Sequence, residues 1–175
     1  MISPKRKAVG AGPAELEGGA SKRVHAADVH ELSAPDVLAI TNLIHKFLQC
    51  LDEGDGPGFA ALFASGAQLE VVKAGIVKSG AQQLAALCVG LHGRFSQCQH
   101  WEGNCIIVGT SASSARNSSY WQAIEGAERV SMGRHEDTFM RGADGVWLFA
   151  GRRVVHTWTK GGGFEAAAAA EAAAT

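Results

Sequence analysis

The chain changes its apolar rhythm part-way along. Val37, Ile40, Ile44, Phe47, Leu48 and Leu51 recur at helical intervals, the pattern of one buried helix face. Ser33 stands where an N-cap belongs and Pro35 sits in the first turn, so the helix is expected to start there. "GDGPG" breaks it, and a short helix, "FAALFA", follows. "AQLEVVKAGIVKSG" reads as a strand pair or a bent strand, and "AQQLAALCVGLHGRF" as a third helix interrupted by glycine. From Cys98 onward the stretches are long and strand-like, over residues 98–108, 113–124, 128–141 and 146–158, with "GADG" at 142–145 as a hairpin turn. Helices first and antiparallel strands after predict an α+β fold, with helices packed on one face of a curved sheet.

The flanks lack either rhythm. Residues 1–32 are rich in Gly, Ala, Pro and charge and are expected to be a disordered tail. Residues 161–175 are a Gly hinge and an Ala-rich tract with no apolar face. The folded unit is therefore placed at 33–160.

Three carboxylates, Asp52, Glu53 and Asp55, close the first helix. On a wheel with Ile44 at zero, Glu53 falls at about 180° and faces water, while Asp52 falls at about 80°, on the shoulder of the apolar stripe. His45 lies on the same shoulder, and Asp55 lies beyond the helix in the turn. A carboxylate at the edge of a core needs a donor or a cation to hold it. The strands offer His100, His135, Arg152 and Arg153. Capping a loop amide or pairing with an arginine stands as the alternative for Asp52.

Composition narrows the partners. Sixteen basic and seventeen acidic residues leave a net charge of −1, so no electrostatic case arises for a nucleic acid or an acidic membrane. No stretch approaches the length of a spanning helix. Cys50, Cys88, Cys98 and Cys105 contain no CxxC pair; they read as reduced residues of a cytoplasmic protein. "PKRK" with "SKR" downstream is either a split nuclear-import signal or a solvated basic tail. HxH and HExxH are missing, so no metal is expected, and no nucleophile elbow, P-loop or dinucleotide fingerprint calls for a cofactor.

Taken in order, "LDEGD…FAALFASGA", "QHWEGN" and "GRHEDTFMRGADGVWLFAGRRV" resemble the SnoaL-like group of the nuclear-transport-factor-2-like superfamily, over residues 36–158. The resemblance implies a cone-shaped α+β barrel: three helices against a strongly curved antiparallel sheet around an apolar pocket. It also implies homodimers or homotrimers, here expected through the sheet face. Scytalone dehydratases and lindane dehydrochlorinases in this superfamily carry an aspartate ending the first helix and a histidine starting a strand. Their motifs fall on "CLDEGD" and "QHWEGN", so the resemblance assigns Asp52 and His100 as the catalytic pair. The carboxylate would fix the imidazole, whose other nitrogen takes a proton from an apolar substrate without any cofactor.

The sequence departs from those enzymes at Leu51 and near Val71, where the dehydratase has tyrosines, and at Phe47, where the dehydrochlorinase has a lysine. The general base is kept while their leaving-group machinery is not. Asn104, His135, Phe47, Trp101 and Tyr120 complete the expected substrate site. Strand alternation puts Glu102 and Asn104 on the face of His100, and His135 on one face with Asp137. Arg152 and Arg153 are expected to pair with strand acids or to lie at an oligomer surface. Trp101, Trp121, Trp147 and Trp158 read as core or interface bulk. A binding or assembly module without chemistry is the rival reading.

Overall fold

In the computed structural model, which describes residues 29–126 and 129–160, the chain opens on a well-capped helix. The Ser33 hydroxyl oxygen accepts from the Asp36 backbone N–H at 3.3 Å and starts α1 (Ala34–Glu53). Ile40, Leu43, Ile44, Phe47 and Leu48 form its buried stripe, while Val37 is 37% exposed and lies outside it. Gly54 ends the helix with φ +70, its N–H bonding the Cys50 carbonyl. Asp55 then caps α2 (Gly56–Ala61), accepting from the Gly58 N–H at 2.9 Å. Of the three carboxylates, then, Asp55 is a cap and Glu53 is exposed.

β1 (Phe63–Val71) and β2 (Ile76–Ser79) form an antiparallel pair around a single 3-10 turn. α3 (Ala81–Arg94) runs through Gly90 and Gly93 without the expected interruption. Four long strands complete the chain: β3 (Cys98–Ser111), β4 (Ser114–Glu125), β5 (Arg129–Arg141) and β6 (Trp147–Lys160).

The sheet order is β2-β1-β6-β5-β4-β3. One expectation changes here. β1 runs parallel to β6, with Leu69 opposite Arg152, so the sheet is mixed rather than antiparallel. The antiparallel pairs are consecutive and joined by turns, which the sequence displays. β1 and β6 meet only after α3 and four intervening strands, and no local signal sets their direction. The sheet stays open, with β2 and β3 at its edges.

The three helices pack against this sheet, and the core between them is rich in phenylalanine. Phe47 meets Phe59 with ring centroids 4.7 Å apart, and Phe63 meets Phe149 at 5.1 Å. Each such pair contributes about 0.5–1.5 kcal/mol beyond its area burial. The folded unit also begins slightly before residue 33. The His30 N–H bonds the Gly109 carbonyl at 2.8 Å, and Leu32 packs against the core. Residues 1–28 and 161–175, expected to be tails, lie outside the described residues. No helix among the described residues is long and apolar enough to cross a membrane.

Candidate active site

Asp52 ends up in the last turn of α1 because Gly54 stops the helix just beyond it. Gly54 also allows a close approach: a Cβ there would come within 2.7 Å of the His92 ring on α3. So placed, the Asp52 carboxylate reaches the start of β3 and holds His100 twice. Oδ1 lies 2.5 Å from His100 Nδ1, and Oδ2 accepts from the His100 backbone N–H at 3.1 Å. A carboxylate only accepts, so Nδ1 carries the imidazole proton and Nε2 keeps its lone pair. Nε2 stands 4.0 Å from Cys98 Sγ.

Asp52 and His100 lie on the wall of a cavity of about 100 Å³ between α1, α3 and the sheet. That exceeds the roughly 10–15 Å³ needed for one water on the same measure. Phe47, Leu51, Leu87, Leu91 and Trp121 supply much of its apolar lining. Burial first, then the Asp52 and Glu125 carboxylates, push the Cys98 thiol up to about 12.

Further along the strands the inward positions turn polar. Glu102 on β3, Ser119 and Asn117 on β4, His135 and Asp137 on β5, and Arg152 on β6 form a buried cluster. Arg152 Nη2 donates to Glu102 Oε2 at 2.5 Å and also contacts His135 Nδ1. Glu102 Oε2 lies 2.9 Å from His135 Nδ1, and its Oε1 accepts from the Ser119 hydroxyl at 2.5 Å. Asn117 Nδ2 donates to Asp137 Oδ2 at 3.0 Å, and Arg152 Nε lies 3.4 Å from Asp137 Oδ1. The Arg152 guanidinium also sits over the Phe47 ring, 4.0 Å from its centre.

The charges follow from this packing. Burial alone would raise Glu102, but Arg152 and the bonds from His135 and Ser119 outweigh it and hold the carboxyl at about 2. Burial, then the charge of Arg152, lowers His135 to about 3 against the pull of Glu102. Burial raises Asp137 to about 6 despite Arg152.

The expected substrate residues divide. Phe47 and His135 line the cavity. Trp101 and Tyr120 do not; they are 45% and 64% exposed. Alternation explains both: His100 and Trp121 face inward, so their neighbours Trp101 and Tyr120 face outward. Asn104 is exposed as well. The register shifts between Gly103 and Ile106, and Asn104 takes φ 53 there. The irregularity breaks the alternation, and Cys105 takes the inward place. His45, on the expected shoulder of α1, is exposed.

Arg152 is wholly buried among strand acids, whereas Arg153 pairs with Glu70 and Glu136 at the surface. Sequence reasoning missed His156 and gave Trp121 only the role of bulk. Trp121 stacks on His135 with ring centres 5.7 Å apart, and His156 meets Trp121 edge-on at 4.8 Å. The buried alternation Ala115, Asn117, Ser119, Trp121, Ala123 was the available signal.

Solved structures share this architecture. A candidate scytalone dehydratase from Novosphingobium aromaticivorans is 22% identical, with 74% of this chain and 89% of that chain covered, at a TM-score of 0.66. LinA is 20% identical, with 74% and 91% covered, at 0.66. A hexachlorocyclohexane dehydrochlorinase, LinA-type3 from Novosphingobium barchaimii, is 18% identical, with 71% and 88% covered, at 0.63. At these identities the likeness is one of fold. No curated protein matches the chain. A family model described as the SnoaL-like domain matches residues 33–153. That span holds all three helices and nearly the whole sheet, and the chain belongs to the SnoaL-like family.

Proposed function

We propose that this protein is a small-molecule pocket protein acting as a cofactor-independent lyase or isomerase, with Asp52 and His100 abstracting a proton from a substrate carbon. One observation carries the reading. The Asp52 carboxylate binds Nδ1 of His100 beside an apolar cavity and leaves the Nε2 lone pair as the base. His100 Nε2 takes the proton, Asp52 stabilises the imidazolium, and the low-polarity walls exclude water that would compete. The electron pair left on carbon then shifts a double bond or expels a leaving group.

The test is deuterium incorporation, or loss of a leaving group, for a panel of apolar C–H acids in deuterated water. The wild-type protein is expected to exchange or eliminate. His100→Ala should abolish turnover, and Asp52→Asn should lower it roughly 10²–10⁴-fold, the usual weight of a positioned general base. An active His100→Ala protein would end the reading.

A second reading, an assembly role, is favoured by the outer sheet face. Ile106, Tyr120, Trp101 and Trp158 are all between 45% and 66% exposed there. A homodimer or homotrimer covering this face is compatible with chemistry on the opposite face.

A further inference from the structure

The geometry points to a binding site for a soft monovalent metal cation, copper(I) or silver(I), held between Cys98 Sγ and His100 Nε2. The inference goes beyond the proton-abstraction reading and does not depend on it, because the site is read by binding rather than by turnover.

The two atoms stand 4.0 Å apart on the cavity wall. Asp52 keeps the imidazole proton on Nδ1, so Nε2 meets the thiol with a lone pair. A protonated Cys98 directs its S–H at that lone pair. A thiophilic cation takes the place of the proton. The S–H bond breaks, the proton leaves to solvent, and sulfur and Nε2 each give an electron pair to the metal. No electron changes hands, so no oxidant or reductant is needed.

The spacing selects the ion. At bond lengths of roughly 2.3 Å to sulfur and 2.0 Å to nitrogen, ligand atoms 4.0 Å apart subtend about 135° at the metal. A tetrahedral ion with those bonds would draw the two atoms to about 3.5 Å. Among the described residues no group of three His, Cys, Asp or Glu side chains is placed to hold a metal ion. Zinc, which takes four ligands, is therefore poorly served. A filled-shell monovalent cation is satisfied by two ligands at a wide angle, and thiolate with imidazole matches its softness.

The surroundings favour positive charge. Asp52 and Glu125 both bear on the Cys98 sulfur, and Arg129, which opposes them, is paired with Glu125. Carboxylates that disfavour a bare thiolate favour one that carries a cation. Asp52 behind His100 is also the acid–imidazole pairing that orients metal-bound histidines and raises their basicity. A route in is present as well. A polar hollow lined by the exposed residues Gln49, Glu53, Gln97 and Gln99 reaches both Asp52 and Cys98. The cation would occupy the lone pair on which the proposed proton abstraction relies, and so would stop it.

The experiment titrates the full chain with copper(I) under nitrogen, in competition with bicinchoninate, whose coloured complex reports the ion not yet transferred. One tight equivalent is expected to pass to the protein at pH 7, with release of one proton. The His100 Nε2 resonance, followed by nitrogen-15 NMR of histidine-labelled protein, should shift as it does so. Cys98→Ala should lose that equivalent, and Asp52→Asn should weaken it about 10–100-fold, the usual weight of a group that orients a metal ligand. Far-UV circular dichroism of each variant separates loss of the site from loss of the fold. Cys50, Cys88 and Cys105 supply the background. A tight equivalent that persists in Cys98→Ala, or that leaves the His100 resonance unmoved, belongs to them and overturns the assignment. Zinc(II) held by the same pair as tightly as copper(I) would overturn the choice of ion. Turnover that survives a filled site would leave the copper site standing and remove the proton-abstraction reading.

Discussion

Three residues within reach of one another look like a nucleophilic triad: Cys98 Sγ near His100 Nε2, and His100 Nδ1 on Asp52. The chemistry argues otherwise. A thiol pushed up to about 12 is almost wholly protonated at neutral pH, so it is a poor nucleophile. Iodoacetamide should therefore label Cys98 far more slowly at pH 8 than it labels an unfolded-state cysteine. Cys98→Ala should keep turnover within a few-fold of wild type, and loss of turnover in that variant would reinstate the cysteine. At this scale the sequence was partly legible. The wheel singled out Asp52 from its neighbours, and the resemblance supplied His100 as its partner. The buried cluster was not legible in the same way. Glu102, Asp137 and Arg152 are charged, and charged side chains ordinarily face water; only their mutual pairing reverses that, and pairing is not written in a local pattern.

At the scale of elements, the site depends on where α1 stops. Gly54 takes a left-handed φ, and a Cβ there would press on His92. Gly54→Ala should lower stability by about 1–3 kcal/mol, the usual cost of such backbone strain. It should also lower turnover, because the last turn carrying Asp52 must shift. Urea unfolding and steady-state rates measure the two effects separately; an unchanged urea midpoint would show that the turn relaxes freely. The elements themselves were largely legible, because α1 and the long strands repeat their apolar positions over several turns or pleats. The parallel β1–β6 contact was not, since it joins distant segments. Asn104 was misplaced for a related reason: one irregularity between Gly103 and Ile106 inverts the parity on which strand reading depends.

For the molecule as a whole, the buried cluster ties stability to pH. His135 falls from 6.5 to about 3 on folding and Glu102 from 4.5 to about 2. Both are depressed, so each contributes stability above its unfolded value and loses it as pH falls. Asp137 rises from 3.8 to about 6, so its contribution is present below 3.8 and is lost as pH climbs through 6. Between about pH 4 and 6 the trends oppose one another; below 4 only losses remain, and unfolding should steepen. Asp137→Asn removes the opposing part, so its urea midpoint relative to wild type should rise from pH 4 to pH 6. A constant difference would show that Asp137 does not titrate in that range. Assembly has its own check: Tyr120→Arg with Trp101→Glu should lower the sedimenting mass if the outer face is an interface, without altering the inner face.

Asp52 grips the backbone of β3 as well as the ring of His100. On the proposed chemistry its loss would therefore be felt twice, once in architecture and once in reactivity, whereas loss of the imidazole would be felt in reactivity. Descendants that abandoned turnover would still be selected to keep the acid as a clasp between helix and sheet, and would be free to discard the ring. When genomes are surveyed for members equipped for the proposed chemistry, the histidine is the more informative letter, because the aspartate is also kept for the fold.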